Sequence, residues 1–468
     1  MRDFQHIADR EKGLQKQLTS GQMAMIAIGG AIGTGLFLGS GFAIGLAGPS
    51  VLISYAIGGV IALLLMGCLA EMTVAHPTSG SFGAYAEHYI APWAGFLVRY
   101  VYWACVVLAV GTEVTAVGVY MAYWYPDTPQ WMWVVLFSVA LVAINAMSVK
   151  AFGAVEYSFS MVKIVAIVLF ILIGSYVVFG TQPEGVGFFN YSAEGGFFPK
   201  GVWGTWVAVV VAIFSYMSIE TIAVAAGEAK DPERAVGSAF RATILRLVLF
   251  YMVTIALMLA IVPWNATSAG KSPFVKVMEI IGIPGAAAVI NFVVLIAALS
   301  AMNSLLYIAT RMMFSLSRAG FAPAAVGEVS RNGVPIKALA LSCVGIAIAT
   351  VLSVVAPEQS FGLMMALSMF GAIFTWFMIF VTHFFFRRSW VAEGRGPLRF
   401  RMWGFPWFTL LGAGLMLAVM LTTYFTPMFR LTLLVGAPIL AVLSLVYALW
   451  YRPRQVSANT SHLVAKSN

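Results

Sequence analysis

The sequence predicts an all-α integral membrane protein of twelve transmembrane helices, and three observations carry that reading. Of its 468 residues, 61% are hydrophobic and 10% charged, where soluble proteins run at roughly 45–50% and 25%. A soluble domain of this length could not hide so much apolar surface, so lipid is the natural partner. Apolar stretches of about 20 residues, the length that crosses a hydrocarbon core of about 30 Å, recur along the whole chain. The basic residues gather in alternate loops.

Taken in order, the apolar stretches lie near 21–46, 49–73, 94–124, 130–149, 157–180, 204–226, 238–262, 284–308, 336–356, 360–386, 405–426 and 430–451. Turn-forming groups part them: Ala47-Gly48-Pro49, Pro126-Asp127-Thr128-Pro129, Asp231-Pro232, Gly333-Val334-Pro335 and Ala356-Pro357. Trp124, Trp131, Trp133, Trp203 and Trp264 fall at stretch ends, where an interfacial aromatic belt sits. Residues 1–20 are polar and charged, which reads as a cytoplasmic segment with no cleavable signal peptide. The helical body then covers 21–451, and 452–468 form a polar cytoplasmic tail. The longest outer loop, 181–203, is rich in glycine.

An even number of crossings places both termini on one side. With the amino terminus inside, roughly 20 of the 27 lysines and arginines fall in cytoplasmic segments. Arg387, Arg388, Arg395, Arg399 and Arg401 make one cluster; Arg311, Arg318, Arg331 and Lys337 make another. The net charge of +9 is therefore an orientation signal and not a nucleic-acid footprint. Cys68, Cys105 and Cys343 sit far apart inside apolar runs, which is neither a disulfide framework nor a metal spacing. The sequence contains no P-loop, no H-E-x-x-H and no G-x-S-x-G, and its five histidines are scattered. Primary pumps and intramembrane enzymes are excluded on that basis, and no cofactor is expected. A channel would need a ring of equivalent filter residues from several subunits. What remains is a secondary transporter, its oligomeric state left open.

Chemistry concentrates in a few places. The first stretch holds Gly29, Gly30, Gly33, Gly35, Gly39 and Gly41, each costing roughly 1 kcal/mol relative to Ala in a helix interior. One reading is a helix break between Ala31 and Gly35, whose freed N–H groups point into a cavity and can bind a carboxylate. The other is close helix packing, since Gly29/Gly33, Gly35/Gly39 and Gly41/Gly45 keep small-xxx-small spacing. Ionisable residues within the stretches cost roughly 2.5–3.5 kcal/mol each at the bilayer centre. Glu113, Lys163 and Glu220 are such residues, open to a structural ion pair or hydrogen bond on one side and to a ligand-facing or proton-carrying role on the other. Glu71 lies near the inner end of its stretch, where snorkelling to the interface suffices. A lysine that can lose its proton within a membrane is a natural proton carrier. Just before Glu220, Ser215 and Ser218 could cap an interrupted helix, line a cavity or bond their own backbone, with Phe214 and Tyr216 as a bulky lid.

At these residues the chain resembles the amino acid–polyamine–organocation superfamily, in its bacterial amino acid permease branch. The motifs that carry the resemblance are Ile28-Gly-Gly-Ala-Ile-Gly-Thr-Gly-Leu-Phe37, Ala47-Gly-Pro49, Leu69-Ala-Glu-Met72, Pro77-Thr-Ser-Gly-Ser-Phe82 and Glu113-Val-Thr-Ala116. Ala226-Gly-Glu-Ala-Lys-Asp-Pro232, Asn303-Ser304, Arg311-Met312 and Gly333-Val-Pro335 follow in order, so that about residues 13–450 are covered. The resemblance implies two inverted five-helix repeats plus two further helices, with helices 1 and 6 both broken at the midplane. It implies that Ala31, Gly33, Thr34 and Gly35 hold a substrate carboxylate. Phe214, Ser215 and Met217 would turn backbone carbonyls to the amino group, with Phe214 also a gate. Glu113 would line the pocket, Lys163 would replace a sodium site as in proton-coupled members, and Glu220 would share in proton coupling. Ser218 departs from the glycine of the relatives and would narrow the pocket or add a hydrogen bond. The implied function is import of an amino acid with protons by alternating access, in a multi-pass protein of the bacterial inner membrane with both termini cytoplasmic. Amino acid exchange and a transporter-derived sensor are the alternatives. A neutral, bulky substrate leads, and a cationic one paired with Glu113 is second.

Overall fold

A computed structural model describes residue 4 and residues 32–78, 81–147, 149–220, 247–267 and 271–452. Among the described residues every regular element is helical, and nine runs are long and apolar enough to cross a membrane. Each of the twelve stretches expected from the sequence contains a helical segment. The motif at 226–232, residue Ala31 and both terminal segments apart from Phe4 and 452 lie outside the described residues.

The elements that matter here are α1 (Gly35–Gly39, continuing as Ser40–Ala47), α2 (Val51–Ala75), α3 (Ser81–Tyr89), α4 (Pro92–Met121), α5 (Gln130–Met147), α6 (Val149–Tyr176) and α7 (Gly201–Tyr216). They are followed by α8 (Thr254–Ile261), α9 (Pro273–Ile281), α10 (Ala286–Arg318), α11 (Ile336–Ser342, continuing as Val344–Val355), α12 (Ser360–Ala392), α13 (Trp407–Phe425) and α14 (Arg430–Val446).

Apart from Arg99 and Glu113, α4 is largely apolar on all its faces, and a helix of that kind must be enclosed by others. It is the hub, packed most extensively against α10 and α12 and then against α11, α3 and α5. α1, α2 and α7 pack closely on one another as a second group. Peripheral helices instead turn large apolar side chains outward: Val139 on α5 is 64% exposed and Phe425 on α13 is 65% exposed. Outward apolar belts of this extent belong against lipid.

Two glycines decide how near the hub its neighbours come. A Cβ on Gly371 of α12 would stand 2.7 Å from the carbonyl oxygen of Val101, and one on Gly345 of α11 would strike the carbonyl of Val107. Backbone therefore meets backbone at both crossings, which is how small residues draw membrane helices together.

Glu71 corrects the sequence reading. It does not snorkel: it is fully buried, with Arg387 Nε 2.9 Å from its Oε1 and the Met402 amide donating to its Oε2 at 2.5 Å. His383 Nε2 stands 3.4 Å away, and its Nδ1 shares a 3.0 Å hydrogen bond with Thr409. The sequence separation of the partners hid this, because α2 meets α12 and the 393–406 connection only in three dimensions.

Candidate functional site

The site grows from two breaks in regular structure lying side by side, a helix start and a helix interruption. At the first, Ile32 has no regular structure, Gly33 bends, and helix begins at Thr34. At the second, α7 stops at Tyr216; Met217 is extended (φ −52°, ψ 154°), Ser218 has φ +73°, and helix resumes at Ile219–Glu220. Positive φ is costly for a residue with a Cβ, and strained backbone of this kind persists only where its surroundings hold it.

Each break is closed by a buried carboxylate. The Thr34 amide, among the first N–H groups of α1 without an intrahelical acceptor, donates to Glu113 Oε2 at 3.2 Å. The Thr34 hydroxyl donates to Glu113 Oε1 at 3.0 Å. At the other break the Ser218 amide donates to Glu220 Oε1 at 3.3 Å. Tyr102 of α4 donates to the same oxygen at 2.8 Å, and the Trp376 indole of α12 reaches Oε2 at 3.1 Å. Thus α4 ties down both breaks, one directly and one through Glu220.

The breaks are also bound to each other. The Ser215 hydroxyl lies 2.7 Å from the Gly35 carbonyl, which it can donate to, and shares a 3.0 Å hydrogen bond with Tyr55. Tyr251 donates to the Ser215 carbonyl at 2.6 Å, and the Met217 amide donates to the Phe214 carbonyl at 3.2 Å. Each of these two carbonyls already carries one donor and keeps a second lone pair for another. Glycine is needed on both sides of Thr34: a Cβ on Gly33 would stand 2.7 Å from Glu113 Oε1, and one on Gly35 would stand 2.6 Å from Ser215 Cα. Gly33 and Gly35 therefore serve both a helix start and a close crossing.

Lys163 of α6 reaches the first break from a third direction, its Nζ donating to the Ile32 carbonyl at 3.1 Å. The carboxylates whose charges act on it are Glu156 and Glu113. Of the residues singled out in the sequence, Gly33, Thr34, Gly35, Glu113, Lys163, Phe214, Ser215, Met217, Ser218 and Glu220 thus gather around the two breaks; Ala31 lies outside the described residues.

Glu156 was missed. It is fully buried and accepts from Ser160 at 3.2 Å, Ser300 at 2.5 Å and Asn303 at 3.2 Å. The sequence reading started the fifth stretch at 157 and left this acid outside, whereas α6 begins eight residues earlier, at Val149. A signal was present: Glu156 and Lys163 are seven apart, two helical turns, and so share a face. Tyr55, Tyr102, Tyr251 and Trp376 were missed as well, because ordinary aromatic residues in apolar runs give no sign of which carboxylate or carbonyl they will meet. Among the described residues no group of three or more His, Cys, Asp or Glu is gathered as a metal ion would require.

A helix start that presents N–H groups to a carboxylate, inside a multi-pass helical membrane protein, is suited to a small carboxylate-bearing solute. The comparisons agree with that chemistry. The family model described as amino acid permease matches residues 22–457. The chain is 37% identical over 449 residues to the gamma-aminobutyric acid permease of Bacillus subtilis (strain 168), covering 96% of each chain. It is 38% identical over 450 residues to the amino-acid permease RocC of the same organism, covering 94% of this chain and 96% of the relative. To the aromatic amino acid transport protein AroP of Escherichia coli (strain K12) it is 37% identical over 447 residues, 93% of this chain and 97% of the relative. These relatives are permeases and transport proteins rather than enzymes, and the chain belongs to the amino acid permease family.

Proposed function

We propose that this permease imports an amino acid across the bacterial inner membrane by alternating access, driven by protons, with both termini in the cytoplasm. One observation carries the substrate assignment: the Thr34 amide and hydroxyl already hold a carboxylate, that of Glu113. A helix start able to hold one carboxylate in a buried site can hold another. The substrate's carboxylate takes that place on Gly33, Thr34 and Gly35, and Glu113 moves aside to face the amino group or a cationic side chain. Phe214, Ser215 and Met217 offer carbonyls to the amino group, and Phe214 closes over it. Ala31 completes the same stretch.

Lys163 and Glu220 are the coupling residues in this reading. The lysine binds the broken backbone at Ile32, so the position of that break depends on its proton. A cation fixed there also opposes sodium, because two positive charges about 4 Å apart repel by about 4 kcal/mol at an effective dielectric of 20. Among the relatives, two names point to γ-aminobutyrate and to aromatic amino acids, which share a carboxylate and an amine and differ in everything between and beyond. A neutral amino acid fits a site whose common part recognises only those two groups.

The test is uptake of a radiolabelled amino-acid panel into proteoliposomes under imposed proton and sodium gradients. The expected result is concentrative uptake of a neutral amino acid that follows the proton gradient, ignores sodium and collapses with a protonophore. Uptake that follows sodium overturns the coupling, and absence of uptake or binding of any amino acid overturns the substrate site. Counterflow without net accumulation favours exchange.

A further inference from the structure

We infer that the hydroxyls of Tyr55 and Ser215 form a clasp that sets the gap between the two breaks. The clasp selects substrates whose amine and carboxylate sit on one carbon over those that hold them three carbons apart. This rests on the substrate reading given above.

The direction of the hydrogen bonds carries the argument. The Ser215 hydroxyl oxygen faces two carbonyls, that of Gly35 at 2.7 Å and that of Val211, one turn back in its own helix, at 3.1 Å. Carbonyls only accept, and a hydroxyl has one proton to give. Two oxygens 2.7 Å apart need a proton between them, so the proton of Ser215 goes to Gly35. The 3.0 Å bond to Tyr55 must then use the proton of the tyrosine, which gives the order Tyr55 to Ser215 to Gly35.

The clasp is held from several sides. Tyr55 is fully buried on α2, and the neighbour of Ser215 secures it: the Tyr216 hydroxyl donates to the Tyr55 carbonyl at 2.9 Å, with the two rings edge to face at 5.7 Å. The Ser215 carbonyl is fixed in turn by Tyr251 at 2.6 Å. Behind the hydroxyls the two backbones touch, since a Cβ on Gly35 would stand 2.6 Å from Ser215 Cα.

This contact lies between the two halves of the proposed site. The carboxylate is assigned to Gly33, Thr34 and Gly35, and the amine to the carbonyls of Phe214, Ser215 and Met217. The hydrogen bond from Ser215 to Gly35 joins the end of the first set to the middle of the second. An α-amino acid bridges so narrow a gap with a single carbon. A γ-amino acid reaches both ends only by curling, and fixing its additional torsions costs binding free energy. Tyr55, Ser215 and Gly35 all belong to the closely packed group α1, α2 and α7, so the gap travels with that group.

The experiment uses isomers that differ only in where the amine stands: α-, β- and γ-aminobutyrate, each competing with uptake of the best labelled amino acid into proteoliposomes. In the unaltered carrier the α isomer should compete about tenfold more strongly than the γ isomer, with the β isomer between them. Tyr55→Phe and Ser215→Ala should each narrow that ratio by about threefold or more. The double variant should narrow it no further than Ser215→Ala does, because the tyrosine acts through the serine. An unaltered carrier for which the γ isomer competes as well as the α isomer overturns the inference. Variants that lose stability or uptake rate at the parental ratio overturn it as well, since the clasp then only packs helices. Where Ser215→Ala fails to fold, Tyr55→Phe, which keeps the ring, decides alone. A carrier that takes up no amino acid removes the substrate reading itself, a result distinct from each of these.

Discussion

Thr34 is the residue on which substrate recognition turns, and its side chain can be tested without disturbing its surroundings. Thr34→Val keeps the shape and removes one donor to a buried carboxylate, worth about 1.5–3 kcal/mol for a charged acceptor. The expected outcome is a loss of roughly tenfold or more in amino-acid affinity with little change in thermal stability, read by competition binding in detergent. Unchanged affinity would place the carboxylate elsewhere. Gly35→Val is a poorer test, because the new Cβ would stand 2.6 Å from Ser215 Cα and would push α7 away; binding and packing would fail together. Ser218 offers the opposite experiment. Its φ of +73° suits glycine, and relieving a left-handed residue is worth about 1–2 kcal/mol. Ser218→Gly should raise the melting temperature and, by removing a nearly buried side chain beside Phe214 and Met217, improve competition by aromatic amino acids over small ones. A lower melting temperature would mean that the hydroxyl contributes more than the strain costs.

At the level of elements, α4 explains why a single helix can govern two breaks. It is surrounded by α10, α11 and α12, held against the last two where Gly345 and Gly371 allow backbone contact. From that fixed position Glu113 and Tyr102, eleven residues apart, reach α1 and the residues after α7 at different depths. The Glu71–Arg387 pair does comparable work for α2 and α12 at another level. Removing one partner of a buried ion pair typically costs about 3–5 kcal/mol, since the other charge stays enclosed. Glu71→Ala should therefore lower the yield of folded carrier and its melting temperature, whereas the affinity of the protein that does fold should remain near the parental value. Loss of affinity at full stability would contradict a purely structural role.

For the whole molecule, the informative contacts are those between the group α1, α2 and α7 and the group built on α4, α6, α10 and α12. Thr34 to Glu113, Ile32 to Lys163 and Glu220 to Tyr102 and Trp376 all run between the two. They are polar, unlike the close packing within each group, and so are contacts that can be exchanged for others when one group turns against the other, while the Glu71–Arg387 pair also joins α2 to α12. Lys163→Ala removes the link from α6 to the first break. Accumulation driven by a proton gradient should be abolished, with binding or slow exchange retained because the substrate's contacts lie on α1, α4 and α7. A variant that still concentrates substrate would exclude this lysine from coupling.

Much of this protein was legible in the sequence because lipid imposes a strict local rule. A helix must satisfy its own backbone in the hydrocarbon, so span length and loop charge can be read directly from composition. Glycine clusters and intramembrane charges stood out for the same reason, each being costly unless used. The pairings did not follow from that rule. Glu71 has its partner Arg387 more than three hundred residues away, Glu156 was lost by a boundary set eight residues late, and Ser215 proved to be a cross-link between breaks. Hydropathy along the chain decides which segments enter the membrane; which carboxylate meets which amide is decided only when helices distant in sequence pack and their buried polar groups must find donors and acceptors in one another.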